Sequence, residues 1–147
     1  MRSQIPDPTP ALKLQKQPTN VTCAQTCLAM AINEPVQKVI DIFGKTPMNQ
    51  SDIVAALYST GTLFNPMLFG TLIHTGWYFM SVPSINFPRG MHEILVHYNA
   101  DYGCSGFTVL DPSTLKAYSP DGSDLVTWGD LIAFVPGGAL PESFCRN

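Results

Sequence analysis

The sequence predicts an α+β fold, with an N-terminal helical half packed on a C-terminal antiparallel sheet. Helix start and stop signals recur in series before Gly76, and short aromatic or β-branched runs separated by turn clusters follow it. A chain of 147 residues, 45% apolar and only 13% charged, is long enough to bury a core and suits a single domain spanning 1–147.

Residues 1 to 20 carry Pro6, Pro8, Pro10 and Pro18 and read as an extended arm over the surface of the domain. Thr22 followed three residues later by Gln25 matches a capping box, which makes Cys23 the first residue of a helix over "CAQTCLAMAIN". Cys23, Cys27, Met30 and Ala31 then share one stripe. Pro35 and Gly44 bracket a second helix with Val36, Val39, Ile40 and Phe43 on one face. A third, "SDIVAALYSTG", begins at Ser51 and stops at Gly61, and a fourth is expected from Pro66 to His74, although Gly70 weakens it. Beyond Gly76, "WYFMSV", "HEILVHY", "GFTVLD" and "LKAYS" read as strands. "TWGDLIAFVP" fits either a short helix capped by Thr127 or a last strand, and "PESFCRN" is irregular.

The formal charge of −3 comes with no basic run beyond the nearby Lys13 and Lys16, which argues against a nucleic-acid partner. The apolar stretch from Leu63 to Val82 is interrupted by Asn65, Pro66, Gly70, His74 and Gly76, so it lacks the run of about 20 apolar residues a membrane helix needs. The N-terminus has no apolar core of signal-peptide length, so the expected location is the cytoplasm and the four cysteines (Cys23, Cys27, Cys104, Cys145) are expected as free thiols.

A cysteine at a helix start is suited to nucleophilic chemistry, because unpaired N–H groups and the helix dipole stabilise a thiolate there. Cys23 meets that condition, whereas Cys27, among Leu28, Ala29 and Ala31, is assigned to the core. A thiolate needs a base, and the strand pattern selects one of the three histidines. If "HEILVHY" and "GFTVLD" form a hairpin around "NADYGCS", pairing Val96 with Phe107 pairs Ile94 with Val109 and His92 with Asp111. His97 then falls on the opposite face, and His74 reads as a capping or surface residue. Asp111 would fix the imidazole's orientation, and the Gln17 amide with the Cys23 backbone N–H would hold an oxyanion. A zinc site from Cys23, Cys27, Cys104 and a histidine is disfavoured by the spacing, and a Cys23–Cys27 disulfide by helix geometry.

"QPTNVTCAQTCLAM" resembles the active-site block of the papain-like peptidases that process bacteriocin leaders, the double-glycine leader peptidases, in which a glutamine precedes the nucleophile by six positions. "HEILVHY" and "VLDPS" are similar to that family's later blocks, a strand opening with the catalytic histidine and one ending in Asp-Pro. The resemblance spans about residues 15 to 135 and is specific over these three blocks. It implies a papain-like fold, Cys23 as nucleophile, His92 as base, Asp111 as orienting acid and Gln17 as oxyanion residue. It also implies a cysteine endopeptidase acting on a peptide or protein substrate without a cofactor. This chain departs from the family at Thr22, where an acid or Asn is usual, at Ala24, where glycine is usual, and at Glu93, where an aromatic is usual. With no ATP-binding or membrane domain in view, a free-standing relative such as a bacterial or phage effector is expected. Two alternatives keep the fold: transfer of the acyl group to an amine, and a catalytically silent protein that binds a host partner.

Overall fold

Three helices precede a six-stranded sheet in the computed structural model, which describes residues 12–67, 74–83, 90–114, 116–118 and 131–141. The helices are α1 (Cys23–Ile32), α2 (Val36–Phe43) and α3 (Gln50–Thr60); the strands are β1 (Phe64–Met67), β2 (Gly76–Pro83), β3 (Met91–Tyr98), β4 (Phe107–Asp111), β5 (Lys116–Tyr118) and β6 (Leu131–Phe134). The architecture is α+β with the helices first, as expected. The strand order is β1-β6-β2-β3-β4-β5, and every neighbouring pair is antiparallel.

The two sheet faces are visible in the sequence alternation of β2 and β3. Trp77, Phe79, Leu95, Leu110, Ile132 and Phe134 cluster with α1, α2 and α3, while Tyr78, Met80, Ile94, Val96, Phe107, Val109 and Leu131 form a second buried cluster. α1 lies against β3 and is buried along almost its whole length, from Ala24 to Ile32. Leu28 and Met30 within it are fully buried, each worth about 2 kcal/mol of apolar transfer. That burial fixes the height of α1 on the sheet, and with it the position of Cys23 at the helix start.

Helix ends follow their punctuation. Gly44 and Gly61 stop α2 and α3 with positive φ, and Asn33 does the same for α1 in a left-handed conformation. α3 begins one residue earlier than expected because Asn49 and Asp52 form a reciprocal capping box. The box expected at Thr22 is absent. The Thr22 hydroxyl is buried and bonds within the Thr19–Thr22 turn, and the Gln25 amide reaches away to the carbonyls of Gly44 and Thr46 at 3.1 and 2.6 Å.

Two further expectations are corrected. Pro66 does not open a fourth helix: it lies in β1, at the edge of the sheet, where a residue lacking an N–H is tolerated. Residues 68–73 of that stretch lie outside the described residues, as do residues 1–11 of the arm, Thr127 and the tail from 142. "LIAF" resolves the ambiguous last segment as β6, inserted between β1 and β2. The arm from 12 to 17 has no regular structure, but it is stitched down: Gln15 donates to the carbonyl of Glu34 and accepts from the N–H of Val36, and Leu12 and Leu14 pack on the core. Among the described residues no helix is long and apolar enough to cross a membrane.

Candidate active site

The β3–β4 hairpin sets the geometry, and its register differs from the expected one by two residues. Val96 faces Val109, Leu95 faces Leu110 and Tyr98 faces Phe107. The cause is at the turn. The Asn99 N–H donates to the carbonyl of Gly106 at 2.8 Å, and a 3-10 stretch, Ala100–Ser105, closes the loop between them. A Cβ on residue 106 would stand 2.2 Å from the Asn99 carbonyl oxygen, so only glycine permits that pairing. A shift of two keeps every side chain on its face. His92 and Asp111 therefore still share a face, as diagonal rather than directly opposed neighbours. Their side chains close the gap: His92 Nε2 lies 2.7 Å from Asp111 Oδ1.

Asp111 is held in turn by Ser113, whose N–H and hydroxyl both donate to Oδ1 at 2.9 and 2.8 Å. This local turn follows from an Asp followed by Pro and Ser in "DPS", a common way for a turn to begin. Burial opposes charge on Asp111, but the bonds from His92 and Ser113 outweigh it and hold the carboxyl below its ordinary range. Burial likewise opposes charge on His92, yet its hydrogen bonds to Asp111 and Cys23, with the charges of both, raise it to about 9. At neutral pH the imidazole is thus in its charged form.

Cys23 is half-buried at the start of α1, where the first N–H groups of a helix have no intrahelical acceptor. Odd-numbered residues of β3 turn their N–H and C=O groups toward β4, as Asn99 does toward Gly106. At Glu93 the described ladder with β4 has ended, and α1 takes that edge. The Glu93 N–H donates to Cys23 Sγ, and the Cys27 thiol donates to the Glu93 carbonyl, both at 3.4 Å. One residue of β3 therefore holds both sulfurs. Cys27 is fully buried in the core, as expected, and burial first, then the nearby Glu93, pushes its thiol well up.

Gln17 is tied to the same place by its backbone, whose N–H donates to the carbonyl of Pro112, next to Asp111, at 2.9 Å. Its side-chain Nε2 donates to the carbonyl of Thr19 at 2.8 Å, and its buried Oε1 has no partner among the described residues. Gln17, Cys23, His92 and Asp111 are thus brought together: Gln17 bonds to the Asp111 turn, Asp111 bonds to His92, and the N–H of Glu93, next to His92 in the chain, bonds to Cys23.

The other histidines lie apart from this group. His97 is buried on the opposite strand face, its ring 5.0 Å from that of Trp77, and His74 is exposed with its carbonyl accepting from the Tyr78 hydroxyl. Among the described residues no three His, Cys, Asp or Glu side chains are grouped to hold a metal ion. The Cys104 side chain and all of Cys145 lie outside what the structure describes. No protein-family model matches the chain, and no curated protein matches it either.

Proposed function

We propose that the protein is a papain-like cysteine peptidase that cleaves a peptide or protein substrate through a thioester acyl-enzyme. The observation that carries this reading is a convergence: His92 is hydrogen-bonded to Asp111, and the N–H of the next residue, Glu93, donates to the sulfur of Cys23 at the start of α1. With Nε2 engaged by Asp111, the second ring nitrogen is left to take the proton of Cys23, which gives a thiolate beside an imidazolium. The thiolate attacks the scissile carbonyl. The backbone N–H of Cys23 and the Gln17 amide, which keeps one N–H beyond its bond to Thr19, receive the oxyanion. His92 then protonates the leaving amine, and water, deprotonated by His92, releases the acyl group.

The papain-like assignment rests on the chain order glutamine, cysteine, histidine, aspartate, on the helical half preceding the antiparallel sheet, and on the meeting of an α1 start with a β3 start. The test is digestion of a mixed peptide library, read by mass spectrometry. Wild type should cleave, and Cys23→Ala and His92→Ala should not. Cleavage that survives in both variants overturns the reading.

A further inference from the structure

We propose that Glu93 is a positioning residue for the Cys23–His92 pair: a buried carboxyl, on the opposite face of β3 from His92, that favours charge on the imidazole over charge on Cys27. The inference rests on the peptidase reading above and deepens it.

The placement is unusual for an acid. Glu93 is 6% exposed on the strand face that carries Leu95 and packs on α1, and its Oε2 has no hydrogen-bond partner among the described residues. Its Oε1 accepts from the Ser81 hydroxyl at 2.8 Å, across the β2–β3 pairing that sets Ser81 opposite Glu93. Its own peptide grips both sulfurs of α1, so any movement of the carboxyl is passed to the thiols through one residue.

Among the described residues, α1 contributes Cys23 and Cys27, β2 contributes Ser81, which does not titrate, and β3 itself carries His92, to which Asp111 of β4 is bonded. Burial raises Glu93 to about 7, against a pull in the other direction from Ser81 and from the charge of His92. Attraction between two groups is reciprocal, so an ionised Glu93 supports the imidazolium, by less than Asp111 and Cys23, which dominate at His92. Toward Cys27 its charge is repulsive, which reinforces the protonated thiol that donates to the Glu93 carbonyl. Negative charge is thereby withheld from Cys27, one helical turn below Cys23.

The experiment is the pH dependence of Cys23 alkylation by iodoacetamide, paired with NMR titration of the His92 ring, in wild type, Glu93→Gln and Ser81→Ala. Wild type should show a step in rate near pH 7 in addition to the imidazole's own limb. Glu93→Gln should remove that step and lower the His92 midpoint, with an about threefold loss of imidazolium above it. Ser81→Ala keeps the carboxyl but removes the bond that eases its ionisation, so its step should move to higher pH. This second variant decides the matter if Glu93→Gln does not fold. A wild-type profile reproduced by whichever variants fold, with an unmoved His92 midpoint, overturns the role of Glu93 while leaving the peptidase reading standing. Cys23 alkylation in wild type no faster than in His92→Ala instead removes the peptidase reading itself.

Discussion

Asp111 meets His92 across a diagonal of the β3–β4 hairpin, and their side chains join at 2.7 Å because the turn between Asn99 and Gly106 sets a register two residues from direct opposition. The carboxylate oxygen in that contact also accepts two bonds from Ser113. It is therefore fixed before the imidazole arrives, and the imidazole is oriented by an acceptor that does not need to reorganise.

Asp111→Asn should separate charge from geometry. The amide keeps the shape but removes the negative charge that helps raise His92 to about 9, so the alkaline limb of Cys23 alkylation should move to lower pH. Turnover of a cleaved peptide should fall by about 10²- to 10⁴-fold in the variant, as expected when an imidazole loses its orienting carboxylate. Stopped-flow alkylation from pH 4 to 10 and peptide turnover give the two readouts. An unmoved alkaline limb would show that Asp111 does not act on His92.

Gln17→Ala addresses a different step. Alkylation of a thiolate by iodoacetamide forms no tetrahedral oxyanion, whereas acylation by a peptide p-nitrophenyl ester does. The substitution should leave the alkylation rate within about twofold and reduce the burst of p-nitrophenol by about 10²-fold, the usual cost of one oxyanion donor. The backbone bond from Gln17 to Pro112 survives the substitution, so the arm stays in place. Equal loss in both assays would mean that Gln17 supports the thiol and not the oxyanion.

Much of this site was legible in the sequence because its determinants are local. The start of α1 at Cys23, the stops at Gly44 and Gly61 and the strand runs from Trp77 to Tyr118 follow from patterns within a few residues. Cys27 could be assigned to the core from its neighbours alone. What escaped depends on contacts distant in sequence or on backbone sterics. β6 enters between β1 and β2 by pairing Phe64 with Phe134, and Pro66 is tolerated in β1 only because that strand lies at the edge. The Thr22 cap was lost because its hydroxyl is buried and satisfied by Thr19. The hairpin register turned on one close approach, Gly106 against the Asn99 carbonyl, which no periodicity reveals. The face shared by His92 and Asp111 survived that error because a two-residue slip preserves parity.

Glu93 and His92 together give the fold a definite dependence on pH. Glu93 is raised from 4.5 to about 7, so the stability it contributes is fully present below about 4.5 and is lost as pH rises through 7. His92 is raised from 6.5 to about 9, so its contribution is intact below 6.5 and is lost as pH rises through 9. Asp111, lowered from 3.8, acts oppositely: its contribution is present above that value and disappears in stronger acid. Melting temperature should therefore peak between about pH 4 and 5 and decline toward pH 9. Glu93→Gln removes the first part of the decline, which is worth roughly 2–3 kcal/mol for a buried carboxyl with this shift. At about 2–4 °C per kcal/mol for a chain of this size, the melting temperature of Glu93→Gln relative to wild type should gain about 5–10 °C between pH 4.5 and pH 8. Differential scanning calorimetry at those two pH values measures it, with the comparison made within each pH so that any packing cost of the amide cancels. A constant difference between the two proteins across that range would show that the Glu93 carboxyl titrates alike in the folded and the unfolded chain, with no shift due to burial.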